Sequence, residues 1–239
     1  MPPSITRCPV LYEDEALLII DKPEGVLSHP NPGGRKTACA FEGDYSLEDR
    51  RFDAPGGRIW LIHRLDQDTS GILLAAKDPD SAKACRDAFE RGEVEKNYIA
   101  LVSRKPMPSR GSWRDALTEQ RRGTGVRTAI GHAKKPNALL HYTLKEHFPQ
   151  LNLALLEIHL VTGRTHQIRV QASHRGHPVA GDRLYGHFGL NKSLRRSLEL
   201  RRLFLHAWRL KIAHPARSRS LEICAPLPED LERALGKAH

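Results

Sequence analysis

The chain has 239 residues, a net charge of +10 and a mean hydropathy of −0.50, which fits a water-soluble globular protein of one large or two small domains. Its apolar runs, such as residues 16–20, are far shorter than the ~20 residues of a membrane span, and residues 1–10 lack the pattern of a signal peptide. These features exclude a membrane-spanning protein and predict a cytoplasmic one.

Strands dominate the first hundred residues. Residues 10–20 predict a strand, a turn at 13–15 and a second, buried strand, and a loop rich in proline and glycine follows. Residues 35–58 give no legible pattern. Short strands are predicted at 59–62 and 72–77, on either side of the sequence HRLDQDTSG. A further strand is predicted from about residue 94 to 102.

The clearest helix lies between the last two of these strands. Ala82, Cys85 and Phe89 recur at helical spacing, Asp80 or Ser81 can cap the helix, and Gly92 can end it.

The second half of the chain predicts hairpins, one helix and a closing pair of strands. Residues 104–137, rich in Arg, Lys, Gly and Pro, predict extended hairpins or mobile loops. Strands are predicted at 138–146 and 151–161, and a helix is predicted between a cap at Thr165 and a stop at Gly176. Residues 204–212 and 220–224 predict two final strands. Most connections are too short for βαβ crossovers, so we expect an α+β fold with a mainly antiparallel mixed β-sheet flanked by helices and loops.

Positive charge is concentrated in two segments. Residues 101–135 hold nine basic and two acidic residues, and residues 192–219 hold nine basic and one acidic residue. Such clustering is typical of a surface that follows phosphates, although a solvated face has the same composition. Membrane association is less favoured, because neither segment shows a clean amphipathic pattern.

Metal and nucleotide cofactors have no support in the sequence. The four cysteines contain no C-x-x-C pair, which argues against a disulfide framework and a zinc knuckle. His174 and His177 have H-x-x-H spacing, but no nearby cysteine or acidic cluster completes a site. No GxGxxG or GxxxxGK[ST] sequence is present. We therefore expect neither a metal nor a cofactor.

The sequence HRLDQDTSG presents two aspartates, Asp66 and Asp68, in a turn before a strand. Either carboxylate can simply bond backbone amides in an Asx turn. A functional aspartate needs a partner that keeps it ionised, and arginine is the natural one. Arg64, Arg164 and Arg169 are candidates, and spacing alone does not decide among them. Tyr98, on its predicted strand, is either a core residue or a base-stacking residue.

Taken together, the motifs resemble the RluA-type pseudouridine synthase family. HRLDQDTSG is similar to that family's signature around the catalytic aspartate, and DKPEGVLSHP is similar to its N-terminal element. EKNYIALV, TGRTHQIRV, GHPVAGDRLYG and LFLHA match its later motifs in the family's order. The resemblance runs from about residue 10 to 225. It implies the pseudouridine synthase fold, as a single catalytic domain over residues 1–239.

The resemblance also implies an activity and its residues. The enzyme would isomerise selected uridines of structured RNA, ribosomal or transfer, to pseudouridine without cofactor or metal. Asp66 would be the nucleophile or essential carboxylate. Tyr98 would stack on the flipped uracil and take part in proton transfer, and Arg169 would pair with Asp66. Arg64 would help to displace the target base, and His63 and Arg164 complete the expected RNA-binding set.

The sequence differs from the family pattern in two respects, and it leaves two alternative functions open. Gln171 stands where many relatives have histidine, and the chain begins too close to the catalytic motifs for the S4-type RNA-binding domain of some relatives. We therefore expect RNA selection through segments 104–137 and 192–202, and we take a monomer as the default oligomeric state. The alternatives are a non-catalytic RNA-binding or ribosome-assembly factor on the same fold and a hydrolase based on His166, His174 and His177.

Overall fold

Antiparallel strand pairs form most of the molecule, and helices pack against them. The structure is a computed structural model that describes residues 5–30, 38–122, 125–131 and 135–239, excluding the side chains of residues 121, 122, 125 and 126. In these residues the strands are β1 (Val10–Glu13), β2 (Leu17–Lys22), β3 (Asp44–Ser46), β4 (Arg51–Ala54), β5 (Gly57–Leu61), β6 (Ser70–Ala76), β7 (Glu95–Ser103), β8 (Arg110–Asp115), β9 (Leu117–Arg122), β10 (Gly125–Ile130), β11 (Ala138–Phe148), β12 (Leu153–Leu160), β13 (Leu205–Ala213) and β14 (Ser220–Cys224). The α-helices are α1 (Pro79–Glu90), α2 (Gln167–His174), α3 (Phe188–Ser197) and α4 (Glu229–Gly236).

The chain divides into two compact units. Unit 1 comprises Met1–Glu95 and Ala207–Ala225, and unit 2 comprises Lys96–His206 and Pro226–His239. Unit 1 is therefore assembled from two separate stretches of chain, the second of which supplies most of β13 and all of β14.

Strand β6 is the buried centre of unit 1. It pairs antiparallel with β2, from Leu17 opposite Ala76 to Lys22 opposite Gly71, and all seven of its residues are buried. Ile72, Leu74 and Ala76, on one face of β6, belong to one core with α1, which contributes Ala82, Cys85 and Ala88. The burial follows from composition, because an unbroken apolar run has no polar face to present to water.

Gly71 allows β6 to lie against its neighbour β13. Its φ is +114°, and a Cβ atom there would lie 2.2 Å from the main-chain oxygen of Ala207. No residue with a side chain fits this position. The glycine of HRLDQDTSG thus serves the packing of two strands and fixes the end of the loop that carries the aspartates.

Unit 2 contains the sheet β7–β12–β11–β8, whose neighbouring strands are all antiparallel. Strands β9 and β10 form a separate hairpin, with Leu117 opposite Ile130. The core of the unit joins Leu101 of β7 to Phe204, Leu194 of α3 and Leu231 of α4. Helices α3 and α4 are therefore held by apolar burial, at about 1.5–3 kcal/mol for each large side chain.

The α+β prediction is confirmed, and so are the strands predicted in both halves of the chain. Helix α1 begins earlier than expected: the N-cap is Asp78, not Asp80 or Ser81, because Asp78 Oδ1 accepts the Ser81 N–H at 2.8 Å and Pro79 follows the cap. The predicted cap at Thr165 is also wrong. Its hydroxyl donates to Glu119 instead, and α2 begins after His166, which has a φ of +55°.

The sequence did not predict β3, β4, β5 as a continuous antiparallel set, nor helices α3 and α4. The 104–137 segment contains β8, β9 and β10, as expected for extended hairpins, while residues 123–124 and 132–134 lie outside the described residues. In the parts of the chain that the structure describes, no helix is long and apolar enough to cross a membrane.

Candidate active site

Asp66 lies on the loop between β5 and β6 and is half-buried. The Thr69 N–H donates to the Asp66 carbonyl oxygen at 3.1 Å, which closes a tight turn over Gln67 and Asp68. This turn is closed by main-chain atoms, so the Asx-turn interpretation, in which a carboxylate accepts the amide, stays a prediction. Both aspartates therefore lie on one short segment, and the close packing of Gly71 fixes the end of that segment.

Lys22 braces this loop from inside the protein. Its side chain is fully buried, and its ammonium group donates to the carbonyl oxygens of Pro23, Val26 and Gln67 at 2.9, 2.8 and 3.3 Å. A buried ammonium is costly unless its donors are satisfied, so these bonds are strongly favoured. They tie the loop after β2 to the residue that follows Asp66.

Ser28 braces the residue before Asp66. Its hydroxyl donates to the Leu65 carbonyl at 2.9 Å, and it accepts the Leu65 N–H at 3.0 Å. Gly25 adds a main-chain bond to the Gln67 carbonyl at 2.9 Å. The stretch from Lys22 to Ser28 therefore holds the main chain on both sides of Asp66. Sequence reasoning assigned no role to Lys22 or Ser28, although both lie in the DKPEGVLSHP motif.

His63 and Arg64 differ in their surroundings. The His63 ring stacks on Phe89 at 5.0 Å between centroids, and its Nε2 accepts the Leu74 N–H at 3.1 Å. Because Nε2 is an acceptor, this bond requires a ring that is unprotonated at that nitrogen. The structure thus gives His63 a role in holding the loop to β6. Arg64 is exposed on the same loop, and RNA contacts by either residue remain predictions.

Tyr98 lies in β7 of unit 2, directly opposite Ile158 of β12. Only 7% of its surface is exposed. A tyrosine in this setting has a rigid backbone and a restricted ring, which suits either of the two interpretations offered for it, core packing or base stacking.

Arg169 lies in α2 and forms a buried ion pair that the sequence did not predict. Its Nε and Nη2 donate to the two carboxylate oxygens of Asp182 at 2.8 and 2.9 Å, and both side chains are almost fully buried. Asp182 also accepts the N–H groups of Leu184 and Tyr185 at 2.8 and 2.9 Å. Asp182 belongs to the GHPVAGDRLYG motif, which was the available signal for it.

Asp182 is ionised at neutral pH. Burial by itself disfavours the charged carboxylate, but the hydrogen bonds and positive charge of Arg169, together with the two N–H groups, outweigh burial and lower the pKa of Asp182. A guanidinium carries five N–H donors, so the two bonds to Asp182 are compatible with a second carboxylate partner. The predicted pairing of Arg169 with Asp66 stays a prediction.

Tyr185 connects Arg169 to the β9–β10 hairpin. The Arg169 guanidinium lies over its ring at 5.4 Å, and that of Arg127 lies over the ring at 5.7 Å. The Tyr185 hydroxyl accepts the Thr128 N–H at 2.8 Å and shares a hydrogen bond with His166 Nδ1 at 2.9 Å. Burial raises the pKa of Tyr185, so the ring remains neutral and well suited to hold cations.

Arg164 of the TGRTHQIRV motif and Gln171, which directly follows the motif, have clear positions. Arg164 is exposed, and its Nε donates to the Asn137 carbonyl at 3.1 Å. Gln171 donates to Asp115 at 2.6 Å, and Arg175 donates to the same carboxylate at 2.7 and 3.1 Å. Gln171, the residue that differs from the histidine of many relatives, therefore links α2 to β8 through Asp115.

The predicted residues fall into two groups. Asp66, His63 and Arg64 lie on one braced loop of unit 1. Tyr98, Arg164 and Arg169 lie in unit 2, on β7 and around the start of α2. The first group offers a carboxylate on a fixed loop, and the second offers a buried guanidinium with its own counter-ion. A carboxylate can act in covalent or acid–base chemistry on a base or sugar, and a guanidinium, which stays protonated, can stabilise a negative charge.

Comparisons with known proteins place this geometry in context. A family model described as RNA pseudouridylate synthase matches residues 16–174. An uncharacterized RNA pseudouridine synthase of Mycobacterium bovis is 37% identical over 236 residues, covering 98% of this chain and 74% of that protein. The ribosomal large subunit pseudouridine synthase C of Haemophilus ducreyi is 34% identical over 237 residues, covering 95% of this chain and 68% of that protein.

Solved structures give the same fold. The human protein RNA Pseudouridylate Synthase Domain Containing 1 superposes with a TM-score of 0.69 at 26% identity, covering 95% of this chain and 86% of that one. Human RNA Pseudouridylate Synthase Domain Containing 4 has a TM-score of 0.70 at 23% identity, covering 96% and 92%. The second similarity concerns the fold alone.

Proposed function

The chain belongs to the RNA pseudouridine synthase family, and from that premise we propose that it converts specific uridines of large-subunit ribosomal RNA through Asp66, Tyr98 and Arg169. As a member of that family it is an isomerase, so the enzyme prediction is confirmed and the non-catalytic alternative is set aside. The target RNA and the residue roles are the content of the proposal.

The reaction rearranges one nucleotide without adding or removing atoms. The bond between N1 of uracil and C1′ of ribose breaks, and a bond between C5 and C1′ forms. The proton on C5 is lost, and N1 gains one. The target base must leave its stack before a side chain can reach it, at a cost of a few kcal/mol.

Asp66 is the proposed catalytic carboxylate. It can attack the sugar or base as a nucleophile, or it can remove a proton from the ribose. The observation that carries the proposal is the bracing of its loop: Lys22 and Ser28 fix the main chain on both sides of this one residue. Catalytic groups must be held to within a fraction of an ångström, and an ordinary surface turn needs no buried lysine.

Tyr98 and Arg169 are proposed to assist. Tyr98 would stack on the extruded uracil, where base–aromatic stacking is worth about 1–3 kcal/mol. Arg169 would keep the Asp66 carboxylate ionised, because an adjacent cation favours the charged form. Asp182 supports this role by holding the guanidinium in one orientation. The proposal requires residues of both units in one reaction, so we propose that the whole chain acts as one catalytic domain.

Large-subunit ribosomal RNA is the proposed substrate. Relatives of this chain in Haemophilus ducreyi and Xylella fastidiosa are called ribosomal large subunit pseudouridine synthases C and D, at 34% and 36% identity. Transfer RNA, the other class left open by the sequence, is named by neither of these two relatives.

Asp66→Asn tests the proposal directly. We expect this variant to lose activity by about a thousandfold or more, because the amide can neither attack nor accept a proton. Conversion is measured as tritium released from RNA labelled at uracil C5, and the modified positions are mapped in ribosomal RNA with and without the gene. Asp68→Asn, the same change two residues away, is the control and retains activity within about threefold. Near wild-type conversion by Asp66→Asn would refute the assignment.

A further inference from the structure

Helix α3 presents an aromatic side chain and three cations along one stripe. Phe188, Lys192, Arg195 and Arg196 are spaced i, i+4, i+7 and i+8, so they lie on one face of the helix. All four are exposed, and Phe188 is exposed over 84% of its surface. The stripe is about 12 Å long at 1.5 Å per residue.

The cations of the stripe are not engaged in ion pairs with the described residues. Lys192, Arg195 and Arg196 have no carboxylate within salt-bridge distance there, and Glu199, the nearest acidic residue along the chain, binds Lys237 at 2.7 Å instead. Attraction to the helix C-terminus can account for cations in the last turn. It does not account for Lys192, nor for an exposed phenyl ring at the first turn.

The opposite side of the helix is fixed to the protein. Leu190, Leu194 and Leu198 belong to the core of unit 2. The Asn191 side chain accepts the Gly181 N–H at 3.0 Å and donates to the Asp182 carbonyl oxygen at 2.8 Å. Helix α3 is therefore attached to the main chain of the residue that holds Arg169, and anything bound to the stripe has a fixed relation to that guanidinium.

Gly186 permits this attachment. A Cβ atom at this position would lie 2.1 Å from the Asp182 carbonyl oxygen and 3.2 Å from the Asn191 amide nitrogen. A side chain here would therefore push α3 away from Asp182.

We propose that this stripe of α3 is an RNA-docking surface, on which Lys192, Arg195 and Arg196 bind consecutive phosphates while Phe188 stacks on an unpaired base. The proposal rests on the proposed function, and it adds a surface that grips RNA outside the reacting nucleotide. Charge complementarity identifies the partner: an unpaired cation row with one exposed ring matches a single-stranded backbone with splayed bases. Helix α3 contains residues 192–197 of the segment 192–202 that was expected to select RNA.

Phe188→Ala tests the stacking contact. With large-subunit ribosomal RNA transcribed in vitro at 150 mM KCl, we expect binding to weaken by about 5-fold to 150-fold. Leu47→Ala, which shortens another exposed apolar side chain, leaves affinity within about twofold. The thermal unfolding midpoint of Phe188→Ala should equal that of wild type because the ring is exposed. Equal RNA affinity of the two variants would overturn the stacking contact.

The triple variant K192A/R195A/R196A tests the phosphate contacts. Each contact to a single strand contributes about 0.7 to the slope of log K against log salt concentration, so the slope should fall by about 2. The control K83A/R91A/K145A removes three exposed cations elsewhere and should keep the wild-type slope. Equal slopes for the two triple variants would overturn the proposal.

Two further measurements separate other partners. If the wild type pellets with phosphatidylserine vesicles, Phe188→Ala does not, and both bind RNA equally, the surface is a membrane contact and the proposal fails. If Phe188→Ala abolishes a dimer in size-exclusion chromatography without changing RNA affinity, the surface joins two copies and the proposal fails. Conversion assays on the same RNA distinguish the docking surface from the proposed function. If the wild type isomerises uridine but the α3 variants bind RNA as tightly as their controls, only the docking surface is refuted.

Discussion

Arg169 and Asp182 form an ion pair in which both side chains are almost completely removed from water. Taking away one partner of such a pair leaves the other charge buried and uncompensated, which costs more than the pair itself contributes. We therefore predict that Asp182 is a positioning residue: it does not need to contact substrate, but it holds the Arg169 guanidinium in one orientation.

Asp182→Asn should reduce both stability and conversion. We expect a loss of about 3 kcal/mol in the free energy of unfolding. We also expect a fall of about a hundredfold in the single-turnover rate, because a small displacement of Arg169, a proposed catalytic group, would have that effect. Rates are measured well below the unfolding temperature, which is followed by circular dichroism.

Asp115→Asn is the matched control for Asp182→Asn. Asp115 also pairs with an arginine, Arg175, at 2.7 and 3.1 Å in the same unit. It should lose stability while keeping its rate within about threefold. If both variants lost activity in proportion to stability, Asp182 would be structural only.

Candidate site residues were predicted from the sequence only where they lie in a motif that the family resemblance links to catalysis. Asp66, Tyr98 and Arg169 came from the resemblance, and their roles are still predictions. Asp182 was missed because its partner lies 13 residues away, across a helix and a loop whose geometry the sequence does not specify. Lys22 was missed because a lysine at the end of an apolar strand normally points into solvent. In this structure the Lys22 side chain is fully buried.

At the scale of elements, the loop after β2 supports the loop before β6. The bonds from Lys22 and Ser28, together with the main-chain bond from Gly25 to Gln67, make the two loops one rigid piece. Loops that carry catalytic groups are usually positioned by the scaffold beneath them. Here the support comes from a neighbouring loop, so increased motion of either the loop after β2 or the loop before β6 would displace Asp66.

Lys22→Met should loosen both loops. Methionine has a similar volume but donates no hydrogen bond, and each buried carbonyl left without its donor costs about 1–3 kcal/mol. We expect faster amide hydrogen exchange at Gly25 and Thr69, and conversion reduced by about tenfold or more. Lys77→Met, which removes a partly exposed lysine paired with Glu13 in the same unit, should change neither. Unaltered exchange at both amides in Lys22→Met would argue against the brace.

Elements with an unbroken apolar run or a regular apolar period were predictable, as β6 and α1 illustrate. Helix α3 was not, because its apolar face consists of Leu190 and Leu194 between charged residues, and its burial is supplied by α4 and β7 far along the chain. Strands β3 and β4 were missed for a similar reason: their residues are largely polar, and main-chain pairing with each other and with β5 forms them.

At the scale of the whole molecule, Asp14 and His214 join the two stretches of chain that build unit 1. His214 Nδ1 accepts the Ala216 N–H at 3.1 Å, so Nε2 carries the proton and donates to Asp14 at 2.8 Å. Burial disfavours the Asp14 carboxylate, but hydrogen bonds from Tyr12, His214 and two main-chain N–H groups outweigh burial and lower its pKa.

The stability of the protein should therefore fall at acid pH. The pKa of Asp14 is depressed in the folded state, so its contribution is complete above the unfolded value of about 3.9 and is lost as pH falls below that value. Asp14→Asn should cost about 1–3 kcal/mol at pH 7, and the difference from wild type should shrink at pH 3. Denaturant titrations at several pH values measure it. Asp44→Asn, at an exposed aspartate, is the control; a pH-independent difference for Asp14→Asn would contradict the mechanism.

The division of unit 1 between two stretches of chain has a consequence for synthesis on the ribosome. Strand β6 is made early, but most of its neighbour β13 belongs to the stretch that begins at Ala207, after the whole of Lys96–His206. At about 5–20 residues per second, the nascent chain waits roughly 6–20 s with most of one edge of this buried, largely apolar strand uncovered. An uncovered edge of this kind is a template for aggregation, so newly made unit 1 should be a client of chaperones until the C-terminal strands emerge.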